Sequence, residues 1–230
     1  MIVLGLDTST PATVAGLRLD DGTILQARDD PQAGGRPGHS TRLLDFAHRL
    51  LAEAGFGWDR IERIAVGVGP GTFTGLRIGI ATARALAQSL DVDLVGISSL
   101  RALAFGVSKT VPAIDARRGE VFLAAYDAER ELLAPQAVRP EALAELLAAS
   151  SLDPHREEEW TAVGDGALLY RDWFERLGLR VPRDDAEAHR VQASAICALA
   201  LDLSDGEGGG YVVPNYLRRP DAEASLEGVA

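Results

Sequence analysis

Sulfur is almost missing from this chain: Cys197 is its one cysteine and Met1 its one methionine in 230 residues. No intrachain disulfide can form, and no thiol-rich metal site can be assembled. Histidine is scarce too, with four in all. His39 and His48 lie nine apart, which is neither the i, i+4 spacing of a helical zinc pair nor part of a Cys/His cluster, so surface or capping roles are expected for both. Positive charge is in deficit. Twenty-three Lys and Arg face 34 Asp and Glu, a net charge of −11, which argues against stand-alone binding to nucleic acid, because neutralising phosphates needs a surplus of cations on some face. No basic, apolar leader opens the chain and no apolar run reaches the roughly 20 residues of a membrane span. The expectation is a soluble, cytoplasmic protein with no membrane contact.

What is present is a globular composition, 47% hydrophobic and 25% charged, organised around Gly67 to Ala87, GVGPGTFTGLRIGIATARALA. The apolar run Ile61 to Val68 alternates as a strand does, a glycine loop follows, and Leu76, Ile80, Ala83 and Ala87 recur at helical spacing. Strand, loop and helix in this order can present backbone N–H groups to an anion. Yet Gly71-Thr72-Phe73-Thr74-Gly75 lacks the Gly-Lys-Ser/Thr ending of a phosphate loop, and the dinucleotide glycine spacing is absent. The unusual feature is the helix surface. Gly75, Gly79, Ala83 and Ala87 fall at successive fourth positions and line one face with almost no side chain, although each glycine costs roughly 1 kcal/mol relative to Ala. The stripe either packs within its own domain, which spacing alone favours, or docks a helix of another chain.

In chain order, Ile2 to Leu6 reads as a buried strand ending at Asp7-Thr8-Ser9-Thr10, and Thr13 to Leu19 and Thr23 to Arg28 follow as a meander turned at Asp20-Asp21-Gly22. Asp7-Thr8-Ser9 reads first as turn chemistry and second as a carboxylate and hydroxyls for phosphate or a hydrated metal ion. Pro31 to Gly38 is loop. Ser40 is the expected N-cap of an amphipathic helix with Leu43, Leu44, Ala47, Leu50, Leu51 and Ala54 on its apolar face, ending at Gly55. Leu94 to Ile97 is a strand, and Ser98-Ser99 caps a short helix to Ala104. The order then restarts: Val111 to Ile114 ends at Asp115, Val121 to Tyr126 and Glu131 to Val138 follow, and a helix runs from Pro140 to Ala149. Thr161 to Gly164 with Asp165-Gly166 is another strand-to-helix junction, leading into helices Leu168 to Leu177 and Val191 to Leu203, which Asp205 to Gly210 break. Two copies of one α/β unit are expected, residues 1–97 and 98–230. The tail Tyr211 to Arg219 either packs back on the body or serves as a binding segment.

Several of these stretches together resemble the bacterial TsaB (YeaZ) family: Asp7-Thr8-Ser9, His39-Ser40, Gly69 to Gly79, Ile114-Asp115-Ala116-Arg117-Arg118-Gly119-Glu120-Val121, and Pro214-Asn215-Tyr216-Leu217-Arg218. The resemblance spans nearly the whole chain and implies a duplicated actin-like, sugar-kinase-like ATPase fold, two lobes each with a mixed sheet flanked by helices. It also implies a role in installing threonylcarbamoyl on the adenosine next to the anticodon of ANN-decoding tRNAs. The catalytic relative in that system, TsaD, carries a His-x-x-x-His metal pair shortly after the last strand of its first lobe. Here the corresponding segment reads Ser98-Ser99-Leu100-Arg101-Ala102-Leu103, so the resemblance implies a non-catalytic partner without catalytic or metal-binding residues of its own.

The same resemblance implies pairing with a TsaD-like subunit through first-lobe helices, support from a TsaE-like ATPase, and contact with tRNA only through the complex. A homodimer through the same helices is the alternative. Partner contact would then fall on Leu43, Ala47, Gly75, Gly79, Ala83 and Ala87. An autonomous nucleotide-dependent kinase or hydrolase would instead use Asp7, Thr8, Ser9 and Asp115. Asp115 is followed by bulky Arg117 and Arg118, where actin-like nucleotide sites keep small residues. No tightly bound cofactor is therefore expected, and ATP or ADP only within the complex.

Overall fold

The computed structural model describes residues 1–31, 35, 37–150, 159–203 and 212–217. Two sheets carry the fold. The first runs β3-β2-β1-β4-β5, built from β1 (Val3–Asp7), β2 (Thr13–Arg18), β3 (Ile24–Asp29), β4 (Arg63–Gly69) and β5 (Asp93–Ser98). β1, β2 and β3 form an antiparallel meander, while β4 and β5 run parallel to β1. The second runs β8-β7-β6-β9, from β6 (Thr110–Arg117), β7 (Glu120–Asp127), β8 (Arg130–Val138) and β9 (Thr161–Val163). It too is a three-stranded meander with a parallel strand added beside its first strand. This is the duplicated actin-like α/β architecture that the resemblance implies.

Period-2 alternation sorts each strand between two cores. Leu4 and Leu6 of β1 join Ile64 and Val66 of β4 beneath α1 (His39–Ala54) and α2 (Phe73–Leu90). Val3 and Ala65 face the other way, into a core shared with Ile114 and Phe122 of the second sheet, with α3 (Ser99–Ala104) and with α7 (Ala193–Leu199). A third core lies on the far side of the second sheet, where Ala113 and Leu123 meet Leu143 and Leu147 of α4 (Leu143–Ala149) and Phe174 of α6 (Arg171–Arg176). Each fully buried Leu of this kind contributes roughly 1.5–3 kcal/mol.

α7 and segment 212–217 follow the second sheet in the chain but pack on the first. Gly5 and Gly16 are paired across β1 and β2, and α7 rests on them: an added methyl would stand 2.7 Å from Cys197 Sγ at Gly5 and 2.6 Å from Ala193 Cβ at Gly16. Arg63, buried at the start of β4, donates to the carbonyls of Ala200 at 2.7 Å and Leu203 at 2.9 Å, fixing the end of the same helix. Burial pushes the Cys197 thiol up to about 12, so it packs as a small neutral group.

Local differences from the expected elements have simple causes. α1 begins two residues early, with Gly38 at its N-cap and no side-chain cap bond, so Ser40 lies exposed in the first turn. Phe46 takes the inward position on α1, while Leu44 points out and is 48% exposed. His39 is buried and its Nδ1 lies 2.9 Å from Thr13 Oγ1, tying α1 to β2. The expected Leu168 to Leu177 helix starts earlier and breaks at Tyr170 into α5 (Asp165–Leu169) and α6, because Tyr170 leaves helical geometry at φ −115°, ψ 33°. The helix expected from Pro140 opens instead with a 3-10 turn, Pro140–Ala142. α7 starts at Ala193 and not at Val191 because Gln192 is extended, and it ends at Leu199, short of Leu203. The break expected at Asp205 to Gly210, and Tyr211, Arg218 and Arg219 of the tail, lie outside the described residues.

Candidate functional site

The turn after β1 is locked onto the glycine face of α2. Thr8 Oγ1 donates to the Gly75 carbonyl at 2.7 Å, and the Thr72 N–H donates to the Ser9 carbonyl at 2.7 Å. A methyl added at Gly75 would overlap the Thr8 backbone carbonyl, and one at Gly79 would overlap the Thr8 hydroxyl. Ala83 and Ala87 continue the same face into the core beneath α2, together with Leu43 and Ala47 of α1. The six residues expected at a partner interface are thus all buried within the chain. Residue spacing made the stripe visible. The close approach that the stripe permits is to the chain's own β1 turn.

Asp7, Thr8 and Ser9 each have 0% exposure. Asp7 accepts from the Ser9 N–H at 3.1 Å and from Ser9 Oγ at 2.9 Å, and a side chain at Gly67 on the neighbouring strand would overlap its carboxylate. Burial raises its pKa from 3.8 to about 6, against the Ser9 hydrogen bonds. Ser99 Oγ, at the start of α3, is buried with no full hydrogen bond, yet is near enough to exert a small lowering effect on Asp7. Asp7, Thr8 and Ser9, the residues considered for a ligand role, are enclosed in this turn.

Asp115 is engaged separately. Its Oδ1 accepts from the Arg117 N–H at 2.8 Å and its Oδ2 pairs with the Arg117 guanidinium at 2.9 Å. Arg117 and Arg118 both have left-handed backbones, φ 64° and 55°, a conformation that costs non-glycine residues roughly 1 kcal/mol or more each. The Asp115 N–H donates to Asp165 Oδ1 at 3.0 Å. Burial pushes the Asp165 carboxyl up, partly offset by that donor. Among the described residues no hydrogen bond or ion pair joins Asp7 to Asp115, and no group of three or more His, Cys, Asp and Glu is placed to hold a metal ion.

A cleft of about 370 Å³ lies between the two halves, lined by Thr10, Pro11, Arg28, Asp165, His189 and Arg190 among others. Its cations are already committed. Arg28 Nε reaches Asp30 at 2.8 Å and its NH1 donates to the Val191 carbonyl at 2.9 Å, while Arg190 pairs with Glu187 at 2.9 Å. Sequence reading missed Arg28, His189 and Arg190, since no local pattern connects residues so far apart. Asp165 carried a signal, because it stands just past the end of β9 while Asp115 stands near the end of β6.

Comparison with known proteins fits this geometry. The family model of TsaD, tRNA N6-adenosine threonylcarbamoyltransferase, matches residues 31–225. Escherichia coli TsaB, named as a tRNA threonylcarbamoyladenosine biosynthesis protein, is 31% identical over 248 aligned residues, covering 99% of each chain. The chain belongs to the TsaB (YeaZ) family. Bacillus subtilis TsaB, of the same name, is 29% identical over 97% of both chains. The solved structure of YeaZ from Pseudomonas aeruginosa superposes with a TM-score of 0.75 at 29% identity, covering 94% of this chain and 99% of that one. Among the described residues, no helix is long and apolar enough to cross a membrane.

Two outcomes follow from the β1 turn. Gly75→Ala should destabilise the isolated chain by about 2 kcal/mol or more, because a backbone carbonyl cannot move aside. Gly79→Ala should cost less, since the Thr8 side chain can rotate and Ala regains roughly 1 kcal/mol of helix propensity. Urea unfolding of both variants checks the order, and equal or reversed costs would contradict it. For Asp7, the raised folded pKa means that its contribution is fully present below pH ~4 and is lost as pH rises through about 6. Asp7→Asn keeps an acceptor for Ser9 and removes that loss. Its stability relative to the parent should therefore improve between pH ~4 and pH ~7.5 by up to about 3 kcal/mol, whereas a difference independent of pH would show that Asp7 is not desolvated.

Proposed function

We propose that this chain is a non-catalytic partner subunit in the synthesis of threonylcarbamoyladenosine on tRNA, acting by pairing with a TsaD-like catalytic subunit. The observation that carries this reading is the sealing of the β1 turn. Asp7, Thr8 and Ser9 have no exposed surface, so the residues that would bind a reacting phosphate in the first half are committed to holding α2. The helix α3 reads Ser99-Leu100-Arg101-Ala102-Leu103-Ala104, side chains that supply no imidazole pair. The alternative, an autonomous nucleotide-dependent kinase or hydrolase, would have to work through the cleft, whose arginines already have partners. Nucleotide would then be held only within the complex, where a partner completes the site.

With the inner stripe used up, pairing through the first-half helices falls to their outer side. Leu44 on α1 is exposed there, Ala81 and Ala85 on α2 are exposed, and Ile78 is half-buried. α2 contains no acidic residue, although the chain as a whole carries a net charge of −11. That excess of negative charge leaves tRNA binding to basic surfaces of the partners. A TsaE-like ATPase completes the proposed assembly, and a second copy of the chain on the same helices is the competing occupant.

The test combines one variant with two assays. Ala81→Arg should weaken binding to a TsaD-type subunit by roughly five- to hundredfold, by analogy with overpacking costs, and leave the melting temperature of the isolated chain unchanged. The isolated parent chain should transfer no threonylcarbamoyl to tRNA. Transfer by the lone chain, or undiminished binding by the variant, would sink the proposal.

A further inference from the structure

Segment 212–217 lies against the carboxyl ends of β4 and β5 and reaches the first turn of α2. The Asn215 N–H donates to the Val68 carbonyl at 2.7 Å, and the Arg84 guanidinium donates to the Val212 carbonyl. Two glycines leave room for the backbone and side chains of this segment. A methyl at Gly69 would stand 3.3 Å from the Asn215 carbonyl oxygen, and one at Gly96 would stand 3.3 Å from Val212 Cγ1. Val212 joins the core under α1 and α2, and Leu217 joins the core between the sheets.

The grip at the far end is on α2 itself. Tyr216 stacks on Phe73 with ring centroids 5.3 Å apart and planes 28° from parallel. The Arg77 guanidinium lies 3.8 Å from the Phe73 centroid, and its Nε donates to the Tyr216 hydroxyl at 3.2 Å. Phe73 and Arg77 are one helical turn apart, so Tyr216 spans the first turn of α2. That turn needs an external hold. The first N–H groups of any helix lack intrahelical partners, Thr72 makes no side-chain cap bond, and the first turn contains no acidic residue.

We infer that residues 212–217 form a strap that fixes the first turn of α2, and that the outer side of α1 and α2 is complete for partner binding only when the strap is seated. The second half of this inference rests on the proposed pairing through that side. Inside the chain, Thr8 supports the same turn from the opposite direction. The strap and the β1 turn therefore act on α2 like two jaws.

Amide hydrogen exchange on the full chain tests the strap directly. Tyr216→Ala and Asn215→Pro should each speed exchange at Leu76 to Ile80 about tenfold, equivalent to about 1.4 kcal/mol of opening free energy, and leave Val3 to Leu6 unchanged. Tyr216→Phe, which keeps the ring stack, should change it less. Unchanged exchange at Leu76 to Ile80 in both disruptive variants overturns the strap. Titration against a TsaD-type subunit tests its consequence, with Ala81→Arg as the control. If Ala81→Arg weakens binding, Tyr216→Ala should weaken it as well. Loss of affinity in Tyr216→Ala without faster exchange would make the tail a direct contact and overturn the inference, as would faster exchange with full affinity. If Ala81→Arg binds normally, the pairing reading fails on its own, and with it the consequence for partner binding. Exchange then decides the strap alone.

Discussion

The contact between Thr8 and the glycine face of α2 is the constraint on which the first half of the molecule depends. A backbone carbonyl and a hydroxyl occupy the space that side chains at Gly75 and Gly79 would fill. α2 can thus sit close enough for the Thr72 N–H to reach the Ser9 carbonyl. Several other features follow from that approach. It closes the β1 turn over Asp7, which leaves water and keeps its pKa raised. It also commits one side of α2 to the sheet, and so determines which side faces outward.

The two halves share a topology but use their turns differently. In the first, the acidic residue that ends β1 is sealed and its neighbours hold a helix. In the second, Asp115 remains near the surface, folded onto its own Arg117, and takes part in a backbone link to Asp165. A cleft lies between the halves beside Thr10 and Asp165. Arg28 and Arg190 are held by Asp30 and Glu187 of their own halves, and the Arg28 bond to the Val191 carbonyl joins the two halves across the cavity.

Much of the fold was legible because it is written locally. The apolar run Ile2 to Leu6 and the alternation in Ile64 to Val68 mark strands, Asp21 caps its turn by accepting from the Thr23 N–H, and Gly55 ends α1 in a left-handed conformation. What could not be read was direction. Periodicity gathers Gly75, Gly79, Ala83 and Ala87 on one face, but it does not say whether that face meets the chain's own sheet or another molecule. The same limit hid the outward turn of Leu44 against the inward turn of Phe46, two residues apart on one helix. Contacts between distant segments left no local mark at all, as with His39 on Thr13, Arg28 on Val191, α7 on Gly5 and Gly16, and Tyr216 on Phe73.

The close approach of Thr8 to Gly79 can be measured as a coupling energy in the isolated chain, with no partner present. Thr8→Ala removes the hydroxyl that a methyl at position 79 would strike. The double variant Thr8→Ala/Gly79→Ala should accordingly be more stable than the two single losses sum to, by about 1 kcal/mol or more in urea unfolding. Additivity within roughly 0.5 kcal/mol would mean that the glycine face does not rest on the β1 turn, and would return the stripe to a partner.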